Sequence, residues 1–162
     1  MSPEARHIVE QLQLVPLPRE GGFFRQTWRS AAGSATYFLM TPVEFSALHR
    51  LPTDEVWHFY AGDAVEHVVL DPRNGAVRVT QLGADVPAGE VPQLVAPGGC
   101  WQGARIAADV ARGSPTAFKA GWTLLGCTLA PAWDERDFEL GERPALLREF
   151  PDAGALIRAL TR

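Results

Sequence analysis

The sequence predicts an all-β fold with short flanking helices, an antiparallel sandwich or barrel. Two observations carry this. Between about residues 23 and 130, short apolar or alternating runs recur and are separated by Gly, Pro, Asn and Asp. Helical periodicity is confined to the two ends of the chain. The 162 residues suit one domain with a sizeable core, 1–162. Within it the pattern places an N-terminal helix in 1–14, a β-barrel in 20–140 and C-terminal helices in 143–161.

At the N-terminus, Ser2-Pro3-Glu4 reads as a helix start, with serine at the N-cap and proline in the first turn. Ala5, Ile8, Val9 and Leu12 then form one apolar stripe. Pro16 and Pro18 forbid continuation, so the helix ends near Gln13. Gly21-Gly22 turns the chain into a strand at residues 23–29. Further strands are expected at 35–40, 55–60, 65–70, 77–82, 93–96, 101–106, 117–119 and 122–129. Asp71-Pro72-Arg73-Asn74-Gly75 carries turn chemistry and makes 65–70 and 77–82 a hairpin. Leu146, Leu147 and Phe150 belong to one terminal helix, and Asp152 is a cap for a last one carrying Leu156, Ile157 and Leu160.

Composition excludes several classes. The chain is 46% hydrophobic and 21% charged, an ordinary globular balance. The net charge is -4 and the basic residues form no cluster, which argues against nucleic-acid and anionic-membrane partners. No run approaches the ~20 apolar residues of a membrane span. The N-terminus lacks a secretory pattern, and Cys100 and Cys127 make no disulfide framework, so the expected compartment is the cytoplasm.

The informative stretch is residues 49–62. Along a strand, Glu55, Trp57 and Phe59 share one face, while Val56, His58 and Tyr60 share the other. A Glu beside two large aromatics suits a pocket with apolar walls and one polar anchor. His49, Glu55 and Gly62 resemble the first cupin motif, a His followed six residues on by Glu and seven further by Gly. Pro97-Gly98-Gly99-Cys100-Trp101-Gln102 is similar to the second, with Gln102 in the place of its His. More narrowly, PREGGFFRQTWRS (18–30), ATYFLM (35–40), HRLPTDEVWHFYAGD (49–63), QLVAPGGCWQ (93–102) and LGCTLAPAWDERDFEL (125–140) resemble the cupin family called domain of unknown function 985.

The resemblance implies a cupin double-stranded β-helix, a jelly-roll barrel, that is usually dimeric, with a small-molecule pocket in its bore and no established reaction. A homodimer is therefore expected, and an unpaired edge strand seeks a partner. Metal-binding cupins usually offer three His and one Glu. Here Leu51 stands at the second His position and Gln102 at the last. No cofactor is expected, and a divalent transition metal, if held, would fall to His49, Glu55 and Gln102.

Without a metal, His49 and Glu55 can still move a proton on a substrate. The fold-level likeness to the sugar-nucleotide epimerases of rhamnose biosynthesis makes Tyr37 a candidate acid partner, and their pattern calls for a carboxylate orienting the histidine, which the sequence does not assign. The bland alternative is that His49 and Glu55 bond each other and brace the barrel mouth. Arg25 either clamps an anion or sits on the surface. Trp101 either stacks on a ligand ring or fills the core. With His49 and Glu55, the residues Trp57, Phe59 and Gln102 are expected to line the pocket. Three functions stand: a metal-independent epimerase or isomerase of a sugar-like molecule, a non-catalytic ligand-binding protein, and a metal-dependent oxygenase or isomerase with a reduced ligand set.

Overall fold

The computed structural model of the chain describes residues 1–108 and 118–162. It holds two antiparallel sheets. The first contains β1 (Val15–Pro16), β2 (Phe23–Arg29), β3 (Ser34–Met40), β5 (Glu55–Gly62), β8 (Gln93–Ala96) and β10 (Thr123–Leu129), in the order β1-β2-β3-β10-β5-β8. The second contains β4 (Ser46–Arg50), β6 (Val65–Asp71), β7 (Ala76–Leu82), β9 (Trp101–Ile106) and β11 (Glu139–Leu140), in the order β11-β4-β9-β6-β7. Helix α1 (Pro3–Gln11) precedes them, and α2 (Arg143–Glu149) and α3 (Gly154–Ala159) follow. Among the described residues no helix is long and apolar enough to cross a membrane.

Local chemistry explains the elements. The Ser2 hydroxyl accepts from the Ala5 N–H and caps α1. The indole of Trp122 donates to Glu4 at 3.0 Å and ties the helix to the barrel. The β6–β7 hairpin closes with Asp71 opposite Ala76, as its turn residues dictate.

Two apolar clusters lie on either side of the second sheet. Phe38, Trp57, Val65, Val69 and Leu125 fill the space between the sheets. Leu48, Val68, Leu70, Leu146 and Ile157 fill the space under α2 and α3. Strand β6 alternates between them, with Val65 and Val69 facing the first and Val68 and Leu70 the second, so both of its faces carry apolar residues.

The structure departs from the sequence reading at several points. Strand β4 is an additional strand. Its pairing with β9 slips between Ser46 and His49, and this bulge breaks the alternation that marks a strand. Of the strand expected at 117–119, Ala117 lies outside the described residues, and Phe118 and Lys119 are not in a strand. Asp152 does not cap α3. It sits inside a 3-10 turn, and Ala153 precedes α3 with no side-chain cap.

Gly62 ends β5 with a φ of 99°, and a Cβ there would meet the Trp122 carbonyl oxygen at 2.3 Å. Both backbone conformation and space therefore demand glycine. Gly62→Ala is expected to destabilise the protein by about 2 kcal/mol or more, read as a lowered denaturation midpoint with an unchanged denaturant slope.

Candidate active site

A cavity of about 480 Å³ opens at one end of the bore. Phe24, Thr36, Phe38 and Leu129 give it apolar walls from the first sheet. His49 enters from β4 and Glu55 from β5, so the two sheets meet chemically at its closed end. Glu20 joins them from the turn before β2. His49 is 2% exposed and Glu55 6%.

The imidazole of His49 lies between the two carboxylates. Its Nε2 is 3.9 Å from Glu55 Oε2. Its Nδ1 is 3.9 Å from Glu20 Oε1 and donates to the Ala47 carbonyl at 2.8 Å. The β4 bulge makes this possible, because Ser46 and His49 are three apart yet both reach Glu20. The Ser46 hydroxyl donates to Glu20 Oε1 at 2.7 Å. Phe138 stacks on the imidazole, with centroids 5.3 Å apart and planes 22° from parallel.

Burial alone would push His49 down. The charge of Glu20, the contact and charge of Glu55, and the Ala47 carbonyl outweigh it and hold the imidazolium up to about 9. Burial pushes Glu20 up, His49 pulls it down and Glu55 adds to the rise, for a net increase. Burial, with Glu55 and Glu20 acting in the same direction, raises the Cys127 thiol well above its ordinary range. This cavity thiol is therefore neutral and a poor nucleophile at neutral pH.

Behind Glu55 stands an amide. Gln102 Nε2 donates to Glu55 Oε2 at 2.8 Å. Gln102 Oε1 accepts from the Trp57 indole at 3.0 Å and faces His67 Nε2 at 3.3 Å. An indole only donates, so this contact fixes which end of the amide is oxygen. His67 must then carry its proton on Nε2. Burial holds His67 down to about 3, so the ring is neutral.

The structure brings His49 and Glu55 together with Gln102 directly behind them. It places the other predicted pocket residues elsewhere. Thr36 and Phe38 face the cavity, so Tyr37 between them points outward, where Tyr60 meets it edge-on at 6.1 Å. Phe24 and Gln26 face the cavity, so Arg25 also points outward, over the Tyr37 ring. Trp57 shares the inward face with Glu55 but is 1% exposed and sealed in the core. Phe59 packs farther along the bore and lines a different depression, beside Asp63. Trp101 points from β9 toward the C-terminal helices, under the Arg50 guanidinium. Glu20 is the residue that sequence reasoning missed. Its signal was its place in the PREGGFF segment, and it stands 3.9 Å from Nδ1 as a neighbouring charge, while the Ala47 carbonyl takes the Nδ1 proton.

Among the described residues, no three His, Cys, Asp or Glu side chains are grouped to hold a metal ion. The donor set at the cupin ligand positions does not fit a resident metal. Leu51 offers hydrocarbon to the cavity, and the Gln102 oxygen is committed to two N–H groups.

Two antiparallel sheets closing on a bore, with His and Glu at its end, define a cupin. The sequence model of the family described as Cupin superfamily (DUF985) matches residues 6–141, and the chain belongs to that family. It is similar to a hypothetical protein from Leishmania major, with 34% identity and a TM-score of 0.86 over 97% of this chain and 98% of that one. A protein from Shewanella oneidensis is 34% identical, with a TM-score of 0.85 over 98% of this chain and 97% of that one. A cupin 2 conserved barrel domain protein from Rhodopseudomonas palustris shares the fold at 13% identity, with a TM-score of 0.59 over 89% and 88% of the two chains. None of the curated proteins matches.

Proposed function

We propose that the chain binds a small polar, sugar-like molecule in this cavity and moves a proton on it, as a metal-independent epimerase or isomerase. The observation that carries this reading is His49 held between Glu20 and Glu55 at the closed end of a ligand-sized cavity. Glu55, steadied by Gln102, takes the proton from a carbon beside a carbonyl. The His49 imidazolium hydrogen-bonds the carbonyl oxygen as negative charge develops there. Return of the proton to the same carbon gives exchange or inversion, and return to the former carbonyl carbon, with His49 giving its proton to the carbonyl oxygen and taking one from the neighbouring hydroxyl, gives an isomer. Glu20 acts through His49, by holding it charged.

The test is deuterium incorporation in heavy water, followed by NMR over a panel of ketoses and nucleotide-linked keto sugars. Incorporation beside the carbonyl is expected with the native protein. His49→Gln and Glu55→Gln should each lower its rate about 100-fold or more while the fold is kept. The native rate should fall as pH rises through about 9, where His49 loses its proton. Exchange that survives His49→Gln would remove His49 from the chemistry. A charged imidazole engaged on both sides is also a ready anchor, which favours a ligand-binding protein without turnover as the second reading. Saturable binding of a panel member with no incorporation from any would establish it against the first.

A further inference from the structure

We propose that the mouth of the cavity is an anion subsite, in which Arg19 and Arg29 take a phosphate or carboxylate group of the ligand. This rests on the cavity being a ligand site and adds the chemical class of what enters it. Both arginines line the cavity, and both are exposed, whereas His49, Glu20 and Glu55 occupy its closed end.

Their place sets them apart, because among the described residues Arg19 and Arg29 are the arginines that line this cavity, and neither is taken up by a carboxylate. Arg50, Arg73, Arg105, Arg136 and Arg162 each contact a carboxylate. Among the described residues, Arg19 and Arg29 contact none. Arg29 donates Nη1 to the Trp133 carbonyl at 2.6 Å, which fixes the guanidinium at the mouth and leaves further N–H groups to donate. The nearby Asp134 feels the Arg29 charge but takes its hydrogen bonds from Arg136, at 2.9 and 2.6 Å.

Arg19 has a φ of 69°, uncommon for a residue with a Cβ. The turn that requires this sends Glu20 inward to His49 and leaves the Arg19 guanidinium 5.2 Å from the centre of the Phe138 ring. Phe138 also stacks on His49. One turn therefore supplies a carboxylate to the closed end and a cation to the mouth. A planar guanidinium suits a phosphate or carboxylate, which it binds through paired N–H groups. Phe24, Trp133 and Phe138 lie along the wall and suit the apolar face of a ring. Glu135 also lines the mouth and offsets one of the two positive charges.

The experiment is titration calorimetry in low salt with two probes, inorganic pyrophosphate and glucuronate. Saturable binding of one or both is expected, and the stronger probe tells phosphate from carboxylate as the preferred group. Arg19→Gln and Arg29→Gln should each weaken it about tenfold or more, the double variant should abolish it, and Glu135→Gln should strengthen it. Arg158→Gln removes the same charge from α3, away from the cavity, and should leave binding unchanged. Circular dichroism confirms that each variant keeps its fold. Binding that survives in the double variant, or falls equally in Arg158→Gln, overturns the subsite, as does the failure of both probes to bind. The outcomes separate it from the catalytic reading. Deuterium exchange on uncharged sugars without probe binding removes the subsite alone. Probe binding without exchange on any substrate supports the subsite and removes the catalysis.

Discussion

Gln102→Leu is expected to lower the melting temperature by about 6–20 °C. The substitution keeps approximate volume and removes both ends of the amide. The Trp57 indole N–H and the His67 N–H lose their shared acceptor, and Glu55 loses its donor. Each group is buried, and each unmet partner costs about 1–3 kcal/mol. A total of about 3–5 kcal/mol follows, because the three share one network and are not additive. In a chain of this size each kcal/mol shifts the midpoint by about 2–4 °C. Calorimetry checks it, with Trp57→Phe as the companion. That variant removes one donor and leaves the amide bonded to His67 and Glu55, so it should cost much less. A Gln102→Leu protein melting within about 2 °C of the native one would mean that the amide does not hold the network.

The same bonds bear on how this barrel differs from the metal-binding cupins it resembles. Gln102 stands on β9 of the second sheet, while Trp57 and Glu55 stand on β5 of the first. The amide is thus a tie across the bore. A metal held by residues of both sheets would make a similar tie with a cation, and here it is made by a neutral amide. Glu55 keeps its place through a donor that cannot titrate, and His67 is kept neutral beside it.

Much of this was legible in the sequence, because alternation and turn chemistry act locally. Strands β5 through β9 follow from period-two runs and from residues such as Pro72, Asn74 and Gly75. The failures share a cause, which is that direction into a bore is set by neighbours distant in sequence. Tyr37 and Thr36 are adjacent on one strand, and only the closing of the barrel decides which faces the cavity. Trp101 sits next to Gln102 in a motif segment, yet the C-terminal helices claim it because β9 is covered on both faces. Glu20 lies in a Pro- and Gly-rich turn that reads as surface. Its inward path depends on the left-handed Arg19 and on the β4 bulge that sends Ser46 and His49 toward it. A bulge has no reliable sequence mark, so β4 and Glu20 were hidden together.

Stability is expected to fall as pH rises from about 6.5 to about 9, and His49→Gln should remove most of that slope. In the unfolded chain His49 titrates at its ordinary 6.5, whereas in the folded protein it holds its proton to about 9. Folding therefore takes up a proton between these values, and its stabilising effect is complete below 6.5 and lost as pH rises through 9. The full effect is about 3 kcal/mol, or about 6–12 °C in melting temperature for a chain of this length. The variant comparison isolates His49 from the other shifted groups. Glu20 is raised from 4.5, so its own proton uptake begins below this window, and the thiols of Cys100 and Cys127 are raised from 9 and act above it. His67, which burial holds near 3, contributes at and below about 6.5, where its unfolded form takes a proton and the folded ring does not. Thermal melts at half-unit steps between pH 6.5 and 9, for the native and His49→Gln proteins, read the difference directly. Equal slopes in the two would assign the proton uptake to another group, and a charged His49 at neutral pH, on which both the acid role and the anchor role depend, would fall with it.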